Sequence, residues 1–265
     1  MPQTRALVWF RQDLRLHDNE ALTEAIQHAD EVYPVYIFDE RIFKGETRWF
    51  GFPKTGKFRA QFIIEAIHDL RQSLRTLGSD LIVRVGKPEE EIFAIAQELG
   101  VSWVFCNRER AHEETLVQDK LEEALWTIGQ EMRYSRGKML YYTSDLPFPV
   151  GHTPDVFTHF RKEVERFVKV REPLPIPKKE DIKPFQGKLD VGTIPTTEDF
   201  GHEPFQMDER AALKFKGGEQ AGLDRLDYYL WDTDAAKTYK ETRNGLVGGD
   251  YSTKFSVWLA HGCLS

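Results

Sequence analysis

Short apolar runs alternate with longer amphipathic segments through the first half of the chain. This pattern limits the fold most strictly, because strands separated by helices usually pair in parallel within one sheet. The predicted strands are residues 5–10, 32–38, 81–85, 103–106 and 132–135. The predicted helices are residues 20–29, 57–77, 88–99 and 113–128. Five strands alternating with four helices predict an α/β fold: a five-stranded, mainly parallel sheet with helices on both faces.

In such a sheet, a ligand binds beyond the carboxyl ends of the strands. The residues predicted at that edge are 11–18, 39–43, 86–87 and 107–110. No G-x-G-x-x-G follows the first strand and the sequence has no P-loop, so it gives no support for a nicotinamide or nucleoside triphosphate site. The first of these loops alternates charges. We expect its Arg11, Asp13, Arg15 and Asp18 to form a salt-bridged network that fixes the loop or docks a neighbouring domain.

Charge and composition exclude several classes of protein. The net charge of −7 argues against the broad basic coat of a non-specific nucleic-acid binder. Residues 161–183 carry eight basic and five acidic side chains, which makes them the best local anion-binding candidate, although a solvated surface is the ordinary interpretation. No apolar run reaches the about 18 residues of a membrane span, and charges interrupt the N-terminus, so we expect no membrane partner and a cytoplasmic location. Cys106 and Cys263 are predicted to be buried thiols, and no metal is expected because the histidines lack ligand spacing.

The pattern changes after residue 136. A connector is predicted over residues 137–206, with one short helix at 155–167 and a stretch rich in Pro and Gly that we expect to lie over the surface. Helices of a second domain are predicted over 207–265. An apolar stripe there would need a partner surface, because nothing in the remaining chain looks large enough to cover it. The stripe consists of Gly222, Leu223, Leu226, Tyr229 and Leu230.

Small and hydroxyl-bearing residues gather near the C-terminus. They are Gly248, Gly249, Ser252, Thr253 and Ser256. A loop of this composition that enters a helix can point backbone N–H groups at one place, which suits a phosphate or pyrophosphate. The alternative is an ordinary N-capped helix. Tyr239 and Arg243, at i and i+4, would share one helix face where an anion or a nucleic-acid backbone could bind.

Three sequence patterns stand out: FR.DLRL.DN after the first strand, then GGE..GL.RL..Y and YKETRNG..G.DYS.KFS.WLA.GCLS near the C-terminus. All three are similar to the photolyase/cryptochrome family, and in particular to its DASH-type cryptochromes. The resemblance implies that residues 1–136 form a Rossmann-like antenna domain and that 207–265 begin an all-α FAD-binding domain. Because the family's chain continues well beyond this point, the chain looks truncated.

The resemblance also implies roles for particular residues. The matches to the first contacts of the FAD phosphates are Tyr239, Ser252, Thr253, Lys254, Phe255 and Ser256. Arg243 matches an arginine that reaches the DNA. Val257 stands where the DASH pattern usually has Pro, which would loosen the helix start.

Glu109 matches the family's acidic residue that hydrogen-bonds the pterin of a methenyltetrahydrofolate antenna. One carboxylate can accept the two adjacent donors of the amino-pyrimidine edge. The alternative role for Glu109 is an acid that balances the dipole of the next helix.

The resemblance implies a deoxyribodipyrimidine photolyase-like enzyme, in which light-driven electron transfer from FAD repairs cyclobutane pyrimidine dimers in single-stranded DNA. Two alternatives stay open: a blue-light photoreceptor or antenna module without repair, and a nucleotide-binding α/β protein resembling electron-transfer flavoproteins. Trp231 and Trp258 are expected to pack in a core. We expect the 265-residue chain by itself to hold FAD weakly, because phosphate contacts alone rarely retain a ligand of this size.

Overall fold

The computed structural model describes residues 3–183 and 190–265. Its centre is a five-stranded sheet in the order β3-β2-β1-β4-β5, and each neighbouring pair of strands is parallel. The strands are β1 (Arg5–Phe10), β2 (Glu31–Asp39), β3 (Ile82–Gly86), β4 (Trp103–Asn107) and β5 (Glu131–Ser135). The predicted α/β fold is confirmed, and each predicted strand boundary lies within one residue of the observed one.

Nine α-helices are found in the described part of the chain. Five accompany the sheet: α1 (Glu20–His28), α2 (Glu40–Phe43), α3 (Lys57–Thr76), α4 (Pro88–Leu99) and α5 (His112–Trp126). The others are α6 (Phe157–Phe167), α7 (Glu219–Asp227), α8 (Tyr239–Thr242) and α9 (Ser256–Ala260). Local signals explain several boundaries. Asn19 caps α1 by accepting the Leu22 N–H, and α4 begins at a proline and ends at Gly100 in a left-handed conformation.

Helices cover both faces of the sheet, as predicted, because successive strand side chains point to opposite sides. Val8 and Phe10 pack into one hydrophobic cluster with Leu70 of α3, while Leu7 packs into the other with Ile92 of α4. The first cluster also contains Trp258, Cys263 and Leu264 from the end of the chain. The C-terminal segment therefore shares a hydrophobic core with the α/β layer.

The connector follows the α/β layer in its described part. The Asp18 N–H donates to the Leu174 carbonyl at 3.0 Å, and the Val83 N–H donates to the Val191 carbonyl at 2.8 Å, which places the chain beside β3. Phe200 then packs on Phe38 and Phe43 in the core. Residues 184–189 of the predicted connector lie outside the described residues. The proposed domain boundaries stay a prediction.

Two expectations about the second half are corrected. The apolar stripe on α7 is partly covered, because Leu264, which follows α9, and Trp258 of α9 lie 2.9 Å and 3.1 Å from where a Cβ on Gly222 would be. Trp258 is 3% exposed, so its predicted core role is confirmed, whereas Trp231 is 74% exposed and the same expectation for it is wrong. Both cysteines are buried and free, as predicted. No helix in the described residues is long and apolar enough to cross a membrane.

Candidate functional site

The loop between β1 and α1 connects the two halves of the chain. Arg15, 3% exposed, donates to the Gly262 carbonyl at 3.0 Å and to the Asp18 carbonyl at 2.9 Å. The fully buried Asp13 accepts from the Arg11 N–H at 2.6 Å. Among the described residues, no ion pair joins two of the four charged side chains. The expected salt-bridged network is therefore wrong, because backbone groups and the neutral side chains of Gln118, Asn107 and Ser265 satisfy these charges instead. The loop does dock the distant segment.

Glu219, in the first turn of α7, is bound by the same loop. Its carboxylate accepts the Leu16 N–H at 2.7 Å and the His17 N–H at 3.0 Å, and it lies 2.5 Å from Nδ1 of His17. Burial opposes the charge, but the hydrogen bonds from His17 and from the two N–H groups outweigh it and lower the pKa of Glu219. The start of α7 is thus fixed to the carboxyl edge of the sheet.

The loop that precedes α9 contains four of the six predicted FAD-phosphate contacts, and a fifth, Ser256, is the first residue of α9. Lys254 has φ of 61° and Phe255 has φ of −67°, and this alternation of sign is typical of a backbone nest that binds anions. Within the described residues, the backbone N–H groups of Thr253 and Lys254 donate no hydrogen bond. No side chain caps α9, and Thr253 Oγ1 lies 3.5 Å from the Phe255 nitrogen. The ordinary N-cap interpretation therefore does not explain these hydroxyls.

Tyr239 and Arg243 lie on a separate element. Tyr239 begins α8, and the Arg243 N–H donates to its carbonyl at 2.9 Å, so the two residues occupy adjacent positions on one turn. Both side chains are exposed. In the part of the chain that the structure describes, Tyr239 makes no hydrogen bond or ring contact with residues 252–256, so the structure does not itself join these predicted ligands.

Glu109 lies beside a cavity of about 280 Å³ at the carboxyl edge of the sheet. The side chain is buried; its Oε2 accepts from Lys138 Nζ at 2.5 Å, while its Oε1 has no partner among the described residues. Trp9, Tyr36 and Phe43 are among the apolar residues of the wall. Because the carboxylate pairs with Lys138 rather than with N–H groups of α5, the helix-dipole role is less well supported than a ligand contact.

A buried carboxylate oxygen without a donor, beside planar side chains, fits the donor edge of a pterin. The apolar wall can exclude water from a flat ring. The residues present therefore fit the antenna group that the sequence resemblance implies. Within residues 3–183 and 190–265, no group of three or more His, Cys, Asp or Glu side chains is placed to hold a metal ion.

Sequence reasoning missed the residues that position these two sites. Arg225 of α7 donates to three carbonyls of the loop before α9, and Lys138 pairs with Glu109 across 29 residues. Gln118 of α5 accepts the Glu109 N–H at 2.8 Å. The only sequence signal for Arg225 is its place inside the GL.RL pattern, and no spacing rule marks Lys138 or Gln118.

Comparisons with known proteins agree with this architecture. A family model described as DNA photolyase matches residues 6–178. The whole chain is 48% identical to a cryptochrome DASH of Gloeobacter violaceus, covering 52% of that protein, and 44% identical to one of Xenopus laevis, covering 50% of it. The solved structure of a Synechocystis cryptochrome superposes with a TM-score of 0.91 at 41% identity, over 100% of this chain and 54% of that one. The chain spans about half the length of the curated relatives that it matches.

Proposed function

The chain belongs to the DNA photolyase family and is similar to DASH cryptochromes throughout its length, and on that premise we propose that it serves light-driven repair of cyclobutane pyrimidine dimers in single-stranded DNA. FAD, when bound, would supply the photo-excited electron for this chemistry. The protein would hold the cofactor, position the DNA and exclude water. A cytoplasmic location remains part of the proposal.

The loop before α9 would hold the phosphates of FAD. The observation that carries this assignment is the pair of unpaired N–H groups on Thr253 and Lys254, next to the positive φ of Lys254. Ser252, Ser256 and Tyr239 would add hydroxyl donors. Phosphate oxygens accept such hydrogen bonds, and converging backbone dipoles favour their negative charge.

Arg243 would contact the DNA backbone. Its side chain is exposed, and it makes no ion pair with any described residue, so the guanidinium is available for a phosphate. A phosphate contact positions the strand but carries no base specificity. A photoreceptor without repair activity does not need this DNA contact. Replacing Arg243 therefore tests repair against the photoreceptor alternative.

Repair is tested with this chain fused to the second half of the Gloeobacter violaceus relative. We expect light-dependent loss of dimers from a single-stranded oligonucleotide, and a reduction of about tenfold in binding when Arg243→Ala removes a charged hydrogen bond. Arg210→Ala is the matched control, since Arg210 is exposed and bonds only Asp208. A fusion that binds FAD but leaves dimers intact in the light would overturn repair and favour the photoreceptor.

A pterin antenna is a second proposal, because it rests on a separate observation: the orphan Oε1 of Glu109 beside the cavity. We expect methenyltetrahydrofolate to bind with a shift of its near-ultraviolet band. Glu109→Gln places an amide donor at that position and should weaken binding about tenfold or more. Glu123→Gln, at an exposed position of α5 outside the cavity lining, is the control. Equal folate affinity in the wild type and Glu109→Gln would refute the contact.

The 265-residue chain by itself should retain FAD weakly. The loop before α9 offers phosphate contacts, but Tyr239 is exposed and lines none of the three best-formed cavities of the described residues, so the flavin ring would gain little burial there. Gel filtration after incubation with FAD gives the measurement. A structured blue flavin band that stays with the protein peak would contradict the expectation.

A further inference from the structure

Arg225 of α7 lies buried beneath the loop that precedes α9. Its guanidinium donates to the carbonyls of Gly249 at 2.7 Å, Thr253 at 3.0 Å and Ser252 at 3.4 Å. It also pairs with Asp250 at 3.0 Å. One side chain therefore holds three peptide groups of a single loop from one side.

This arrangement fixes where the opposite ends of the peptides point. In a trans peptide the C=O of one residue and the N–H of the next are antiparallel and lie in one plane. The carbonyls of Ser252 and Thr253 face Arg225, so the N–H groups of Thr253 and Lys254 must face away from it. Like the other backbone N–H groups of residues 249–254, these two donate no hydrogen bond to a described residue, so they are available to a ligand on that side. The loop thus presents its positive dipole ends on the side opposite the arginine.

The neighbouring acid is compensated in the same place. Asp250 would repel an anion, but its carboxylate is paired with Arg225 and accepts the Tyr228 hydroxyl at 3.2 Å. The hydrogen bond to Asp250 raises the pKa of Tyr228, which therefore keeps its proton as a donor. The positive φ of Lys254 is uncommon for a residue with a side chain and needs surrounding contacts to hold it, and the bonds from Arg225 to the two preceding carbonyls supply them.

We propose that Arg225 is a positioning residue that turns the loop of residues 249–254 so that its N–H groups converge on a diphosphate. This inference rests on the proposed flavin site and names the residue that builds it. Arg225 acts through the backbone and does not itself contact the ligand. Its planar fork can reach several carbonyls at once, which a lysine ammonium cannot do from one position.

The experiment titrates the ¹⁵N-labelled chain with inorganic pyrophosphate and follows the backbone amides of Thr253 and Lys254 by NMR. In the wild type we expect saturable shifts of these two amides. Arg225→Met and Arg225→Lys should each weaken pyrophosphate binding about tenfold or more, because both lose the hydrogen bonds that orient the peptides. Arg210→Met, which removes an exposed arginine bonded only to Asp208, should leave the affinity unchanged.

Each result has one meaning. If the wild-type amides do not respond to pyrophosphate, the phosphate site itself fails, and the proposed function loses its support. If they respond but Arg225→Lys binds as tightly as the wild type, the arginine contributes only charge and the positioning role is wrong. The amide spectrum of the five strands verifies that each variant is folded. Should Arg225→Met not fold, Arg225→Lys decides, since it can keep the ion pair with Asp250.

Discussion

At the scale of single residues, the docking of the C-terminal segment depends on a glycine. Gly262 has φ of 65°, and a Cβ there would lie 2.1 Å from the Gln12 carbonyl oxygen and 2.5 Å from the Asp13 Cα. Both obstacles are backbone atoms, which cannot rotate away as a side chain does. The close approach lets Arg15 reach the Gly262 carbonyl.

Gly262→Ala should lower the free energy of unfolding by about 3 kcal/mol, the sum of a left-handed backbone penalty and overpacking. Gly129→Ala is the matched control. Gly129 also has a positive φ of 73°, but a Cβ there meets nothing within 4 Å, so we expect a loss of only about 1 kcal/mol. Urea denaturation measures both. Equal losses would show that the contact with residues 12–13 does not limit the packing.

His261 gives the docked segment a pH dependence. Burial, with the nearby charges of Arg59 and Lys138, lowers the pKa of His261 to about 4. In the unfolded chain an imidazole has a pKa of about 6.5, so the unfolded state binds a proton between these values while the folded state does not. Stability from this group is present above about pH 6.5 and is lost as the pH falls towards 4.

His261→Gln should remove that loss. We expect the free energy of unfolding of the wild type, taken relative to that of the variant, to fall by about 3 kcal/mol from pH 7 to pH 4, since each pKa unit corresponds to about 1.4 kcal/mol. Carboxylates titrate in both proteins and cancel in the difference. His152→Gln, at an exposed position, is the control. A difference that is constant with pH would sink this explanation.

At the scale of elements, the strands were predictable and the anchoring of α7 was not. A buried parallel strand reads as a continuous apolar run, so RALVWF gives β1 without any knowledge of its partners. The bond between Leu16 and Glu219 joins residues 203 apart, and no local pattern records such a pairing. The contacts of α7 with Trp258 and Leu264 also join residues far apart in the sequence, which is why the sequence predicted an uncovered apolar stripe on α7.

The candidate sites divide in a similar way. Composition indicated that residues 248–256 could bind a phosphate. It could not show the positive φ of Lys254 or the hydrogen bonds that Arg225 donates to this loop. Glu109 was assigned by resemblance, whereas its free Oε1 follows from the position of Lys138, which satisfies only the other oxygen. Side-chain identities suggest a chemistry, and tertiary contacts decide which atoms remain available for it.

Glu219→Gln tests the anchoring of α7. The amide retains one acceptor oxygen, so one of the two N–H groups in the first loop loses its partner, at about 1–3 kcal/mol. Hydrogen exchange should accelerate in α7, while the five strands keep their protection. Glu98→Gln, exposed on α4, should change nothing. Unchanged exchange in α7 would mean that Glu219 does not hold this element.

At the scale of the whole molecule, the two halves should unfold together. Trp258 lies in the same hydrophobic cluster as Val8 and Phe10 of the sheet, packs on Phe62 of α3, and donates its indole N–H to the Lys216 carbonyl at 3.0 Å. Because the two halves share a core, separating them would expose apolar surface on both, and this costs free energy.

Trp258→Ala should therefore destabilise the sheet as well as the C-terminal segment, by about 3–5 kcal/mol, as expected for loss of a large buried aromatic side chain. Far-ultraviolet circular dichroism and tryptophan fluorescence should report one coincident urea transition in the wild type, and both midpoints should fall together in the variant. Trp231→Ala, at an exposed position, should change the free energy of unfolding measured by either probe by no more than about 0.5 kcal/mol. Two separate transitions, or a fluorescence change that leaves the dichroism midpoint in place, would show that the α/β layer folds independently of the segment that carries the phosphate loop.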